Sequence, residues 1–172
     1  SGRRGNVRRM TADRALAQSS AALAALIFAT DPCAVGGIRF RGYAGATRDR
    51  LVSAIRDIVS TTAPFRKLPL SIADDRLLGG IDLAATLKAA KPIQERGLLL
   101  DSHGGVILAA GCERMSTSLA ARLVAVLDNG EVVLEREGFG SRSACRLGLI
   151  VLDEGIEPDE QPPAILLERM SL

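Results

Sequence analysis

The chain has no tryptophan, one tyrosine and four phenylalanines in 172 residues, so aromatics make up 3% of it. Its core must be built from aliphatic side chains. A surface that stacks single-stranded bases on aromatic rings lacks the rings to do so. Histidine is nearly absent: His103 has no second histidine with which to share a metal, and its place at a helix-to-strand corner suits a structural role. The three cysteines, Cys33, Cys112 and Cys145, are odd in number and widely spaced. They make neither a disulfide framework nor a metal-ligand spacing, and they fit a reducing compartment. No metal site is expected. Net charge is only +2, which removes a whole-molecule pull toward nucleic acid or an anionic membrane. The apolar stretch 21–29 is too short to cross a bilayer, and no secretory signal is read. A cytoplasmic protein without a transmembrane segment is the expectation.

What is there is an apolar fraction of 47%, enough for a single packed α/β domain. Residues 1–11 carry Arg3, Arg4, Arg8 and Arg9 and read as a basic flexible tail, with a nucleic-acid or partner-binding arm as the alternative. Residues 12–172 read as the core domain. A helix over 14–29, capped by Thr11, ends at Asp31-Pro32. A strand over 38–41 leads into a glycine loop and a helix to about Ser60. A second strand, 65–72, contains Pro69 and so belongs at an edge. A loop over 74–80 is followed by a short helix over 81–90, with Asp82 in its first turn, and a helical turn or two over 95–101. Residues 106–110 form a short apolar run suited to a strand buried on both faces. An amphipathic helix over 116–127 closes on Asp128-Asn129-Gly130. A β-hairpin over 131–143 turns at Glu137-Gly138. Another buried strand spans 146–152, a polar loop 153–163, and a last helix begins at Ala164. Strands that alternate with helices make a mostly parallel sheet covered on both sides. A ligand belongs at the carboxyl ends of its strands.

The stretch Gly42-Tyr43-Ala44-Gly45-Ala46-Thr47-Arg48-Asp49 has the strand–loop–helix setting of a phosphate-binding loop. Such a loop, G-x-x-x-x-G-K-[ST], cradles phosphates on backbone N–H groups, reaches them with lysine and holds magnesium with a hydroxyl. Here Thr47 replaces the last glycine, Arg48 the lysine and Asp49 the Ser/Thr. A carboxylate at that mouth repels a triphosphate. The loop is either the relic of a nucleotide site or an ordinary turn that never bound anything.

Arg76-Leu77-Leu78-Gly79-Gly80-Ile81-Asp82-Leu83 and Glu95-Arg96-Gly97-Leu98-Leu99 resemble the magnesium chelatase family of AAA+ proteins. So do the segment from Leu127-Asp128-Asn129-Gly130 through Glu131 to Gly138, and the distal Leu166-Leu167-Glu168-Arg169-Met170. The resemblance runs from about Ala12 to Leu172 and is greatest to the D-type subunits, in which the phosphate loop has decayed. It implies a three-layer P-loop NTPase core whose hairpin (131–143) and helical (81–100) insertions protrude toward partners, with no lid domain within these residues. It places the family's Asp-Glu metal pair on Ala110 and Gly111, with Glu113 as a rival under a shifted alignment, and its polar sensor near Ile156. It makes Arg169 an arginine finger acting in trans on a neighbour's γ-phosphate; the alternative is an arginine paired with Glu168 or Asp159. Arg142 and Arg146 face the same neighbour or form surface salt bridges. The implied function is a non-hydrolysing platform, with no cofactor of its own and without nucleic acid. It self-associates in a ring and works with the ATPase I subunit and the porphyrin-binding H subunit, which use ATP to insert Mg²⁺ into protoporphyrin IX. A weakly active ATPase and a nucleic-acid-binding AAA+ module are the rivals.

Overall fold

The computed structural model describes residues 19–170, apart from 82, 91–92 and 137–138. The basic tail, the Thr11 cap, Asp82 and the hairpin turn lie outside the described residues. A helix over 19–30, α1, is followed by one turn, α2 (Pro32–Val35), started by Asp31, whose side chain accepts the Ala34 N–H. Four strands make the central sheet: β1 (Gly37–Arg41), β2 (Phe65–Leu68), β5 (Val106–Ala110) and β8 (Gly148–Asp153). Their order is β1-β8-β5-β2 and every pairing is parallel. β2 stands at an edge and is shorter than the expected 65–72: it ends at Leu68, before Pro69, which has no N–H for a ladder.

The residues of β5 and β8 are almost all apolar because both faces of the sheet are covered. Ile107, Ala109, Leu149 and Val151 point into one cluster with Leu119, Leu123 and Val124 of α7 (Thr117–Asn129). Val106, Leu108, Ile150 and Leu152 point the other way, onto Phe28 of α1 and Val52, Ile55 and Val59 of α3 (Ala46–Val59). Alternation of period two along each strand produces this division, and the result is three layers. Arg56 of α3 also lies over the Phe65 ring, 5.0 Å from its centroid.

Between β2 and β5 the chain is more structured than the sequence suggests. The expected loop over 74–80 is a helix, α4 (Asp74–Leu78), running into a short strand, β3 (Gly79–Ile81). Asp74 and Asp75 suit the positive end of the helix, and Leu77 is buried. After α5 (Leu83–Ala89), residues expected to be helical form β4 (Gln94–Arg96), antiparallel to β3, before α6 (Leu98–Asp101). Leu99 and Leu100 are buried in the core. The hairpin is β6 (Glu131–Arg136) and β7 (Phe139–Ala144); Val132 and Leu134 are buried. Both insertions therefore anchor in the core at their bases. The closing helix, α8, is one turn (Ala164–Leu167), with Leu166 fully buried.

Candidate functional site

β1 ends at Arg41, and the next helix begins at Ala46. Only residues 42–45 connect them. Gly42 has φ +133° and donates its N–H to the Asp153 carbonyl at 2.9 Å, which ties the loop to the end of β8. Gly45 caps α3 with extended backbone and no side-chain hydrogen bond. Thr47, Arg48 and Asp49 thus stand in the first helical turn, where sequence spacing alone leaves them in an open loop. The first N–H groups of α3 have no partner one turn back, which is the one feature of an anion site that survives.

The side chains turn that site inward. Arg48, at the lysine position, is only 13% exposed; its Nη1 donates to Glu154 Oε1 at 2.8 Å and to the Gly42 carbonyl at 3.4 Å. Its Nε is buried without a hydrogen-bond partner, 3.6 Å from Asp49 Oδ1. Asp49 itself is exposed. Beneath the loop, the fully buried Asp153 accepts from Arg39 Nε at 3.1 Å and from Arg39 Nη2. Its other oxygen accepts the Gly155 N–H at 3.1 Å. Arg41 Nε lies 3.8 Å from the same carboxylate. Glu113, in the 3₁₀ turn after β5 (Cys112–Arg114), accepts the Glu154 N–H at 3.1 Å and pairs with Arg114 at 2.7 Å. Four arginines and four acids thus balance one another.

Two clefts flank the loop. One, about 670 Å³, is lined by Arg39, Arg41, Tyr43, Arg48 and Leu51, with Ala21 of α1. The other, about 480 Å³, is lined by Tyr43, Glu113, Arg114, Glu154, Ile156 and Glu160. Either is large enough for a nucleotide; the second is lined by Glu113, Glu154 and Glu160, and in the first Arg39 and Arg48 are already paired, with Asp153 and Glu154. Ala110 and Gly111 at the end of β5 carry no carboxylate. Ile156 is exposed and offers no polar side chain, its N–H being donated to Glu160 Oε2 at 2.9 Å. The residues present do not fit a magnesium–triphosphate. The cation at the lysine position is neutralised by Glu154, and the group at the metal-ligand position is an acid facing solvent.

Arg169 lies at the opposite end of the sheet. A side chain on Gly37, the first residue of β1, would meet the Arg169 carbonyl at 3.2 Å, whereas the loop follows the last residue of β1. The strand between them spans about 16 Å. Arg169 forks onto Asp128: Nε to Oδ1 at 2.6 Å and Nη2 to Oδ2 at 3.0 Å. The fork holds the Asp128 carboxyl below its ordinary range and raises Arg169 further. Of the partners expected from sequence, Glu168 contributes only a distant contact at 3.8 Å. Asp128, the principal one, was read as part of a helix-closing signal and of the family resemblance, not as a partner of Arg169.

Arg142 pairs with Glu131 across the hairpin at 2.9 Å, the salt-bridge alternative. Arg146 lines a cleft with Asp128, Cys33 and Gly36. His103 Nδ1 accepts the Arg146 N–H at 3.1 Å, so the lone histidine braces the turn before β8. Among the described residues no group of three or more His, Cys, Asp or Glu side chains is placed to hold a metal, and no helix is long and apolar enough to cross a membrane.

No family profile matches the chain. The magnesium-chelatase 60 kDa subunit of Cereibacter sphaeroides is 38% identical over 146 residues, 85% of this chain and 23% of that protein. The 67 kDa subunit of Chlorobaculum parvum is 33% identical over 116 residues, 67% of this chain and 19% of that protein. The chain thus spans about a quarter or less of these relatives. Among solved structures, a chain of the complex between subunits BchI and BchD of magnesium chelatase, reconstructed by cryo-electron microscopy, superposes with a TM-score of 0.68 at 24% identity. It covers 87% of this chain and 55% of that one. The fold is the AAA+ fold.

Proposed function

Over most of its length this chain is a homologue of the magnesium-chelatase 60 and 67 kDa subunits, and we propose that it serves as an AAA+ platform that does not itself hydrolyse ATP. On this reading the whole subunit assembles in a ring with the ATPase subunit, and with the porphyrin-binding subunit it supports insertion of Mg²⁺ into protoporphyrin IX. ATP and Mg²⁺ are used by the complex, not held in this loop.

The observation that carries the reading is the commitment of Arg48 to Glu154 and to the loop's own carbonyl. Phosphoryl transfer is catalysed almost entirely by positioning and by positive charge placed where negative charge develops. A guanidinium already neutralised by a carboxylate supplies little of that charge. Asp49 adds charge of the wrong sign, and the end of β5 contributes none of the acids that hold metal and water. Arg169 fits the complementary role. It is always charged and forks onto oxygens in a plane. Its place at the far end of the sheet from the loop suits a neighbour's site and not its own.

The test is ATP turnover. The full-length subunit alone is expected to show no Mg²⁺-dependent hydrolysis, while its mixture with the ATPase subunit hydrolyses ATP. Arg169→Ala is expected to lower turnover of the mixture about 10³-fold or more at sites that this arginine completes, with the assembly intact. Hydrolysis by the isolated subunit overturns the platform reading. Unchanged turnover on Arg169→Ala overturns the finger.

A weakly active ATPase is the second reading, favoured by Glu113. That acid lies in the cleft shared with Tyr43 and Glu154, beside the loop. If it serves a metal, Glu113→Gln abolishes whatever turnover the isolated subunit has.

A further inference from the structure

Asp128 occupies the last turn of α7, a 13-residue helix. A carboxylate there faces the negative end of the helix dipole, so the helix itself gives no reason for an acid at this position. The reason lies across the structure, 41 residues on, in Arg169. Both oxygens of Asp128 are taken by two nitrogens of the same guanidinium, at 2.6 and 3.0 Å. The pair stands in the open: each side chain is 39% exposed. A cleft of about 170 Å³ adjoins it, lined by Asp128, Asn129, Gly130 and Arg146 on one side and Cys33 and Gly36 on the other.

A planar, doubly bonded fork is the arrangement by which arginine also grips a phosphate. A phosphate offers the same geometry with more charge. A solvent-exposed carboxylate holds arginine weakly and is exchangeable for it. We infer that Asp128 is a positioning residue for Arg169: it parks the guanidinium in a ready-made bidentate geometry, and a neighbour's terminal phosphate displaces it. This rests on the finger reading above. It adds that the finger is held back by an internal competitor, so that its engagement depends on how well the neighbour's phosphate competes.

The experiment uses the full-length subunit assembled with the ATPase subunit, with ATP turnover measured against subunit concentration. Asp128→Asn keeps the shape and removes the charge. It is expected to raise turnover at sub-saturating subunit about two- to five-fold, the range that an exposed ion pair spans. In an Arg169→Ala background the same substitution is expected to change nothing, and Asp128→Glu is expected to stay near the parent. In the isolated subunit, the Arg169 Nε–H should exchange with solvent faster once Asp128 is Asn, which reads the parked state without any turnover.

Unchanged or lower turnover for Asp128→Asn, where Arg169→Ala still lowers it, overturns the parking role and leaves the finger standing. Exchange of Nε–H that is indifferent to Asp128→Asn overturns it as well. If Arg169→Ala has no effect on an intact assembly, the finger reading falls first and takes this inference with it.

Discussion

At the scale of the residue, burial sets chemistry that composition leaves undecided. Cys112 donates its thiol to the Ala109 carbonyl at 3.2 Å and is fully buried; desolvation pushes it up to about 12. Cys145 donates to the Leu99 carbonyl and is pushed up to about 11, also mainly by burial. The thiolate is the reactive form. Neutral-pH maleimide is therefore expected to label Cys33, the half-buried one, first, and to reach the other two only in denaturant, as mass spectrometry of time points will show. Asp128 gives a second test. Its carboxyl is depressed by the Arg169 hydrogen bond, so the fork's contribution is full above the ordinary carboxylate range and fades as pH falls through the depressed value. A carboxyl-carbon NMR titration should find that midpoint below those of exposed aspartates, and Arg169→Ala should return it to their range. Asp153 is the residue with most at stake. It is fully buried and held by Arg39, so Asp153→Ala, which strands that arginine, is expected to cost about 3 kcal/mol in denaturant unfolding. None of these pairings was legible in the sequence. Arg39 and Asp153 are 114 positions apart, Arg48 and Glu154 106. They meet only because β8 lies beside β1, a fact of sheet order that no local pattern carries.

At the scale of the element, the signals that are local were readable and the rest were not. The amphipathic pattern over 116–127 and Gly130 after it marked α7; Ser116, expected as its first residue, is instead its cap. The Ser116 hydroxyl accepts the Leu119 N–H at 3.2 Å, and Gly130 takes the left-handed conformation at φ +66°. Ser116→Ala is expected to lower stability by about 1 kcal/mol, read as a shift in the denaturant midpoint with no change in slope. The β3–β4 ribbon was missed because its three-residue strands are too short to show alternation. Its clue is the glycine pair Gly79 and Gly97. A side chain on Gly97 would overlap Gly79 and the backbone of Leu77, so the two chains touch where only glycine fits. The strand–loop–helix setting around Gly42–Gly45 is present, but the helix begins earlier than the sequence pattern suggests. Helix α3 starts at Ala46, because the alanine–threonine–arginine run after Gly45 continues a helix as readily as it fills a loop.

At the scale of the whole molecule, two apolar clusters share one sheet. Leu149 belongs to one and Ile150 to the other, and both are fully buried. Truncating either to alanine is expected to cost about 2–5 kcal/mol, measured by thermal or denaturant unfolding. Comparable losses from the two faces would show that neither layer is decorative. The three-layer architecture was legible from the alternation of strands and helices, since apolar runs such as 106–110 leave no polar face for solvent. The same sheet order governs how the chain reaches this state. Among the described residues β1 is bonded only to β8, and the register pairs Gly37 with Leu149 and Arg41 with Asp153. Every contact in the middle of the sheet closes a loop of more than forty residues, a topology that folds slowly. On a ribosome, β1 emerges more than a hundred residues before β8 and waits for it. The hairpin of β6 and β7 forms from neighbours, but the slot between β1 and β5 stays open until residues 148–153 have left the exit tunnel.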